Sequence, residues 1–497
     1  MRRIVQCVLI PVIYLALGIQ TTAAQVRTLE FTLDDVIRLA GEQSRAAILA
    51  KHRFRGSYWE YRTHIAKFLP GLSLSSTLPD LTRSIDRITM PDGSDAFVKR
   101  KLANSSLDLS LTQNIGLTGG SIFMSSGLQR IDLLGASTGS TSYLSTPVSI
   151  GLRQPIKAHN SFKWEKKIEP LKYEEAKKDY IDAMEQVSQR AVNYFFNLAL
   201  AQVNLKIAGI NYSNNDTLYR IAQGRYNIGT IAENDLLQME LSLLNAGTAL
   251  NEAKIQLEMQ KFQLRSFLGY NETVDIQLLI PDSIPDVEVD VAFALTEARQ
   301  NSPDMISMER QLLEARRDVA QAKAEKGLTA DLYASFGLTK QDALLNQLYN
   351  NPEDQERLRI GIEIPVVDWG LGRGKYRMAQ SNQEVVKTNV QQAEIDFEQE
   401  VMLQVMQFNL QDDQLRIAAK ADTIAQNRYD VTKQRFLIGN VDVLDLNVAL
   451  TEKDTAKRGY LSALHNYWSY FYNIRRLTLY DFIAGLPLSA EFDDLLR

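Results

Sequence analysis

The sequence contains one segment twice, and this duplication constrains the fold more than any other feature. Residues 225–236, RYNIGTIAENDL, return 210 residues later as residues 435–446, RFLIGNVDVLDL. Each copy lies between two long segments with helical patterns. Glycine supplies the backbone freedom that a helix end needs, and the aspartate that follows is favoured where the next helix starts. Each copy is therefore predicted to be the tip of a long helical hairpin.

The same offset relates a much longer part of the chain. Segment 148–156 matches segment 358–366 in its alternation of apolar residues and in its proline, and Tyr270 matches Tyr480. A duplication of this size, about 120 residues, indicates one structural unit that is built twice. The predicted parts are a signal peptide, a first repeat, a second repeat and a C-terminal tail, at residues 1–24, 25–280, 281–480 and 481–497.

The first residues are predicted to be a secretory signal peptide that is removed. Two arginines precede an apolar run over residues 4–19, and small residues follow. A single N-terminal anchor helix is the alternative, but the run is short and ends in a cleavage-like site. The only cysteine, Cys7, lies in this segment, so no disulfide or lipid anchor is expected. Without Arg2 and Arg3 the chain has 53 basic and 60 acidic residues, which argues against nucleic acid as a partner.

Long helices are predicted in two windows that lack proline, 171–280 and 366–486. Pro170 is expected to interrupt the chain before the first window, and residues 271–290 are expected to be a linker. A helix over residues 375–438 would be about 95 Å long, which suits a rod or tube. Shorter helical patterns cover residues 31–66 and 291–326. The apolar stripe of the second window has coiled-coil spacing, with apolar counterparts 210 residues earlier, and consists of Phe397, Val401, Val405, Phe408 and Leu415.

Amphipathic β-strands are predicted between the helical parts, because apolar and polar residues alternate there. The alternating runs begin at Leu72, Leu107, Ile122, Val148, Leu332 and Leu358. Residues 132–147 are rich in Ser, Thr and Gly and are predicted to be a loop. Four to six strands are expected, whereas single-chain outer-membrane barrels start at about 8 strands. Several chains are therefore expected to share one barrel that is apolar outside and polar inside.

Two segments match catalytic or binding motifs only superficially. Residues 135–139, GASTG, match a nucleophile elbow, but the following helix and the partner residues are missing. Residues 370–375, GLGRGK, resemble a phosphate cradle, but no second strand follows as a βαβ unit requires. The four histidines lack metal-ligand spacing. The chain is therefore expected to have no enzyme activity and to need no cofactor or metal.

Asp442 and Asp445 lie three residues apart at the second tip and share one helix face. The simpler interpretation is helix capping, which favours aspartate at this position. In a ring of identical subunits, the same face would stack acidic rings at a constriction and select for cations. The first tip has Asp235 opposite Asp445, but Ala232 opposite Asp442. The two tips are therefore not equivalent.

Taken together, these features resemble the TolC family of outer-membrane efflux factors over roughly residues 30–480. The resemblance lies in the two tip motifs, in the order and spacing of the repeats, and in the joint formed by residues 364–373, IPVVDWGLGR. It implies a mostly α fold with membrane β: a trimeric α-barrel of long coiled helices and a shared β-barrel of twelve strands. Residues 79–147 are longer than their counterpart, 339–357, so extra strands or a loop are possible there.

The resemblance also implies a location and partners. The protein would lie in the outer membrane, in contact with its lipid, and would extend into the periplasm. A periplasmic adaptor and an inner-membrane pump would be its partners. Asp442 and Asp445 would form the periplasmic gate and select for cations. The tip positions that would face the adaptor are Arg225, Gly229, Thr230, Arg435, Gly439 and Asn440.

The function expected from these features is a passive exit duct for efflux or type I secretion, which opens like an iris when an adaptor binds the tips. The alternative is a periplasmic coiled-coil spacer or surface adhesin that conducts nothing. The sequence does not distinguish drug efflux from metal efflux or protein secretion, because a wide tunnel has no specific pocket.

Overall fold

The computed structural model describes residues 28–134, 140–270, 275–281 and 284–496. The predicted signal peptide and the GASTG segment at 135–139 lie outside these residues. Two compact units are present. The tip unit comprises the described residues of 1–48, 184–288 and 407–473, and the sheet unit comprises those of 49–183, 289–406 and 474–497.

Helices form most of the described chain. The helices are α1 (Leu33–Gln43), α2 (Arg45–Ala66), α3 (Ser161–Asn227), α4 (Glu233–Leu268), α5 (Val291–Asn301), α6 (Pro303–Glu325), α7 (Leu371–Asn409), α8 (Gln411–Leu437), α9 (Val443–Thr478) and α10 (Phe492–Leu495). The strands are β1 (Thr28–Phe31), β2 (Gly71–Thr89), β3 (Asp95–Ile115), β4 (Gly120–Leu133), β5 (Ser140–Lys157), β6 (Asp275–Leu278), β7 (Thr329–Asp342), β8 (Glu353–Glu363), β9 (Tyr480–Asp481) and β10 (Leu486–Pro487). None of the helices in the described ranges is long and apolar enough to cross a membrane.

The sheet unit contains one antiparallel sheet of six strands in the order β2-β3-β4-β5-β7-β8. Strands are confirmed at all six alternating runs. The loop predicted at 132–147 is wrong over residues 140–147, because β5 begins at Ser140 and pairs with β4 there. Ser and Thr are compatible with a strand when hydrogen bonds to its neighbours order the backbone.

The two helical hairpins that the duplication predicts are present, and the tip unit contains all of them except the first part of α3, residues 161–183, and the end of α9, residues 474–478. α3 and α4 form one hairpin, and α8 and α9 form the other. The predicted apolar stripe at 397, 401, 405, 408 and 415 is buried throughout. Of its counterparts in α3, Val187, Ala191, Phe195 and Leu198 are buried, and Leu205 is half-buried. The helical period therefore identified the packed faces correctly.

Some predicted boundaries were wrong. Pro170 lies inside α3 and does not interrupt it. The loss of one backbone hydrogen bond at Pro170 is tolerated beside packed residues such as Ile168, which is buried. The helix predicted at 375–438 is interrupted at Leu410, and that at 31–66 is interrupted at Ser44. The predicted linker contains β6, which pairs in parallel with β1.

Candidate functional site: the paired hairpin tips

The two tips are built by the same backbone motif. In the first, Gly229 has a φ of 75°, its N–H donates to the carbonyl of Tyr226, and the N–H of Thr230 donates to the carbonyl of Arg225. In the second, Gly439 has a φ of 84° and the corresponding donors are Gly439 and Asn440. Both are Schellman motifs, in which a residue with positive φ ends the helix and satisfies its last carbonyls. The repeated glycine is therefore required by the turn.

The helices that leave the two tips begin differently. At the second tip, Asp442 caps α9: its carboxylate accepts a hydrogen bond of 2.8 Å from the N–H of Asp445. At the first tip, alanine occupies the equivalent position, and the carboxylate of Asp235 accepts a hydrogen bond of 3.3 Å from the N–H of Ala232. Each tip thus has one half of a capping box. Both arrangements place negative charge at a helix N-terminus, where the helix dipole stabilises it.

A small apolar core joins the two tips. Its buried members come from all four hairpin helices and are Leu218, Ala222, Met239, Tyr429, Phe436, Leu446 and Ala449. Arg225 lies at the end of this core. Its guanidinium donates to the carbonyl of Leu437 at 3.3 Å and lies 5.8 Å from the ring centre of Phe436. The first tip is therefore held against the second by one arginine and an apolar core.

A cavity of about 340 Å³ lies between the tips. Arg225, Thr230 and Asp235 line it from the first hairpin, and Gly439 and Asp442 line it from the second. The structure thus brings together five residues that lie about 200 positions apart in the sequence. The cavity contains one cation and two carboxylates, so its net charge is negative.

The predicted site residues differ in exposure. Asp442 and Asp445 are exposed, and so are Gly229, Thr230, Arg435, Gly439 and Asn440. Arg225 is half-buried because it contacts the second tip. The predicted roles in gating and adaptor contact remain predictions.

A polar network that sequence reasoning missed connects the hairpins further from the tips. The carboxylate of Asp454 on α9 accepts a hydrogen bond of 2.6 Å from Asn211 on α3, and it lies 3.2 Å from the ammonium of Lys453. The same ammonium lies 4.5 Å from the ring centre of Tyr429 on α8, whose hydroxyl accepts a hydrogen bond from Asn214. Burial raises the pKa of Tyr429 and keeps it neutral. No sequence motif marks this network, because its members are scattered over three helices.

The GLGRGK segment is not arranged to hold phosphate. Asp368 accepts hydrogen bonds of 2.9 Å from the N–H groups of Gly370 and Gly372, and these bonds hold its pKa below the usual range. The two N–H groups that would bind an anion therefore already have an anionic partner. All but the first residue of the segment form the start of α7, and residues 364–370 join this helix to β8.

Comparisons with known proteins give a consistent result. The family model described as outer membrane efflux protein matches residues 106–270 and 294–478. The crystal structure of the Campylobacter jejuni CmeC outer membrane channel is similar with a TM-score of 0.66, at 16% identity, over 93% of this chain and 88% of that one. The outer membrane protein VceC from Vibrio cholerae gives a TM-score of 0.65 at 14% identity, over 90% and 96% of the two chains. The open Neisseria gonorrhoeae MtrE outer membrane channel gives 0.60 at 15% identity, over 92% and 89%. A search of curated proteins found no match.

Proposed function

Because the chain belongs to the outer membrane efflux protein family, we propose that it is the passive exit duct of a tripartite efflux or type I secretion system. Three copies form the duct, and a periplasmic adaptor opens it at the hairpin tips. An inner-membrane pump supplies the energy, since the chain has no expected enzyme activity. The observation that carries this proposal is the pair of tips, joined by a small core and bearing exposed carboxylates at one end of the hairpins.

An exposed apolar stripe that runs along α8 and includes the capping residue at each of its ends supports assembly from identical copies. Its members recur every seven residues and are all at least half exposed: Leu410, Ile417, Ile424, Val431 and Ile438. A seven-residue apolar repeat is the pattern of a helix that packs lengthwise against another helix. On α4, an apolar stripe is similarly exposed at Leu237, Leu241, Leu244, Ile255 and Phe262. The proposed occupant of these faces is a second copy of the chain, so that hairpins of neighbouring protomers pack side by side.

The gate is proposed to lie at the second tip. Asp442 uses one carboxylate oxygen to cap α9, yet the side chain stays exposed. Asp445, one turn further, is also exposed. Three copies would thus place six carboxylates around the opening and favour cations. Helix capping and cation selectivity are compatible in Asp442. Capping uses a single carboxylate oxygen, whereas selectivity depends on the negative charge of the side chain.

Adaptor binding is proposed to act on the contact between the tips. Arg435 and Asn440 are exposed at the second turn and are available to a partner. Arg225 instead bonds to Leu437. An adaptor that competes for Arg225 would remove one of the contacts that hold the two hairpins together. Packed helices commonly move between discrete arrangements of this kind.

The test is designed to separate charge from capping. Asparagine caps helices about as well as aspartate, so Asp442→Asn with Asp445→Asn removes the proposed ring charge and preserves the turn. Asp235→Asn, which removes one carboxylate at the first tip, is the matched control. Single-channel recordings in a salt gradient should show that the double variant loses most of its cation preference and that the control retains it. An unchanged reversal potential in the double variant would refute the gate assignment, and absence of conductance in the native protein would favour the coiled-coil spacer.

A further inference from the structure

The first repeat contains two more long strands than the second. β2 follows α2 as β7 follows α6, and β5 precedes α3 as β8 precedes α7. The hairpin β3–β4 has no counterpart in the second repeat. It is fully integrated in the sheet, since β3 pairs with β2 on one side and with β4 from Leu102↔Leu133 to Ile115↔Gly120 on the other.

One apolar face continues across five neighbouring strands, from β2 to β7, and at β8 it meets Glu356, beside the exposed Leu358. A row along the hydrogen-bonding direction contains Leu72, Leu111, Met124, Ile150 and Phe336, each paired with the next. All five side chains are exposed. Side chains on one face of a sheet meet only at matching registers, so this continuity shows that the extra hairpin presents the same face as the other strands. Each of the six strands has at least the 9–11 residues that cross a bilayer.

The turn of the extra hairpin is fixed at the helical end of the sheet. The amide of Asn160, which precedes α3, donates to the carbonyls of Gly116 and Leu117 at 3.4 and 3.0 Å. The amide of Asn114 donates to the carbonyl of Lys67, just after α2, at 2.9 Å. The turn between β3 and β4 therefore lies beside the ends of α2 and α3. β3 therefore runs along the sheet towards its helical end, and β4 runs back from that end.

The opposite face of the sheet is polar. Tyr333 stacks on Phe123 with ring centres 5.7 Å apart, and Arg153 and Arg359 each lie 5.7 Å from the ring centre of Tyr333. Arginine on aromatic rings is a favourable arrangement that keeps the charge accessible. These residues come from β4, β5, β7 and β8, and the pairs Ser73↔Ser110 and Ser110↔Ser125 continue the polar face through β2 and β3.

We propose that three copies close a barrel of eighteen strands, with β8 of each protomer paired to β2 of the next. The proposal rests on the trimer proposed above. The edges β2 and β8 have no partner among the described residues, and backbone groups at an open edge cannot be left unpaired in lipid. β2 leaves the helical end and β8 returns to it, so the new pair is antiparallel like all others in the sheet.

The strand number determines the width of the outer opening. With strands about 4.8 Å apart and tilted by about 40°, eighteen strands give a backbone diameter of about 36 Å, against about 24 Å for twelve. Barrels of 16–18 strands leave an aqueous channel. The polar face would line this channel, and the opening would be about one and a half times as wide as the resemblance implies.

Disulfide trapping tests the pairing, because a disulfide forms only between Cα atoms about 4.4–6.8 Å apart. The only native cysteine, Cys7, lies in the predicted signal peptide. Cysteines are introduced on the polar face in all nine pairs of one β2 site with one β8 site. The β2 sites are Ser73, Ser75 and Thr77, and the β8 sites are Arg357, Arg359 and Glu363. The full chain is then oxidised in outer membranes with copper phenanthroline.

Two further sets of cysteine pairs serve as controls. Ser335→Cys with Arg357→Cys joins directly paired residues of β7 and β8 within one protomer, and it should oxidise in every case. Ser121→Cys or Ser125→Cys on β4 with Arg359→Cys tests a twelve-strand barrel in which β2 and β3 leave the edge of the sheet, so that β8 reaches β4 of the neighbour.

The expected result is that at least one β2–β8 pair converts most of the monomer band into covalent dimers and trimers, and that no β4–β8 pair does. An intact trimer without β2–β8 disulfides, or with β4–β8 disulfides, would overturn the eighteen-strand barrel and leave the duct proposal standing. A native mass of one chain would overturn both, and mass measurement in mild detergent distinguishes these cases.

Discussion

The apolar stripe on α8 gives the sharpest test of the proposed assembly. Ile417 and Ile424 are 67% and 57% exposed in the single chain. Full burial of an isoleucine contributes about 1.5–3 kcal/mol, and each of the three carbons removed by truncation to alanine about 0.8 kcal/mol. A partner helix could bury roughly the 60% of each side chain that is exposed in the single chain. Ile417→Ala with Ile424→Ala should therefore weaken the free energy of assembly by about 3 kcal/mol per protomer and about 9 kcal/mol per trimer.

The cost should appear in assembly and not in the fold of the single chain. Exposed side chains away from special contacts usually change stability by less than about 0.5 kcal/mol. At about 1.4 kcal/mol per tenfold, the trimer dissociation constant should rise on the order of 10⁶-fold. Mass photometry over a dilution series in mild detergent measures this shift directly.

Thr423→Ala is the matched control. Thr423 is exposed on the same helix, one residue from Ile424 and therefore about 100° around the helix axis. This variant should dissociate at the same concentration as the native protein. If the double alanine variant also kept its native dissociation curve, the stripe would not be an interface between copies, and the packing of neighbouring hairpins proposed above would be wrong.

Two other predictions concern individual side chains. Burial lowers the pKa of His465, which lies 2.7 Å from the amide oxygen of Asn193. The contribution of neutral His465 to folding stability is therefore fully present above the unfolded pKa of about 6.5. That contribution is lost as the pH falls from there through the lower folded pKa. His465→Gln should flatten the decline in melting temperature between pH 7.5 and 5, and an unchanged slope would contradict this. Arg310 donates to both carboxylate oxygens of Glu175, which raises its pKa; Arg310→Ala should destabilise the protein by about 3 kcal/mol because it leaves a largely buried carboxylate unpaired. Adding Glu175→Gln should recover part of that loss in thermal melting, and a further loss would show that the ion pair is not the cause.

The tips and packed helix faces could be predicted from the sequence because their signals are local. The glycine of each turn is required by its positive φ, and a sustained helical period marks the buried face whatever the partner is. The predicted TolC-family resemblance is confirmed by the family match over residues 106–270 and 294–478. The expected spans of 1–24, 25–280, 281–480 and 481–497 stay predictions, because the compact units combine segments from both repeats.

The features that could not be predicted from the sequence depend on pairing between residues far apart in the chain. The strand number was uncertain because residues 79–106 lack a clean alternation. The register of β2 against β3 shifts between Thr77 and Asp80, and such an irregularity changes which residues face the same side. The single strand in the predicted linker was missed because β6 has only four residues and is ordered by pairing with β1, far away in sequence. The network around Asp454 was missed for the same reason.

The duplication explains why the two tips can share a backbone and still differ in the residues that follow the turn. The Schellman turn needs only a residue that tolerates positive φ, so selection on the turn leaves the following residues free to change. At the first tip, Asp235 bonds to the backbone of Ala232 and is half-buried. At the second, two aspartates are exposed and only one carboxylate oxygen is used by the cap. In a ring of three copies, first and second hairpins would alternate. The exposed negative charge would therefore be concentrated on the three second hairpins, the charged set. Arg225 and the small apolar core hold the other set against it, so loss of the Arg225 contact would loosen the charged set at the tips.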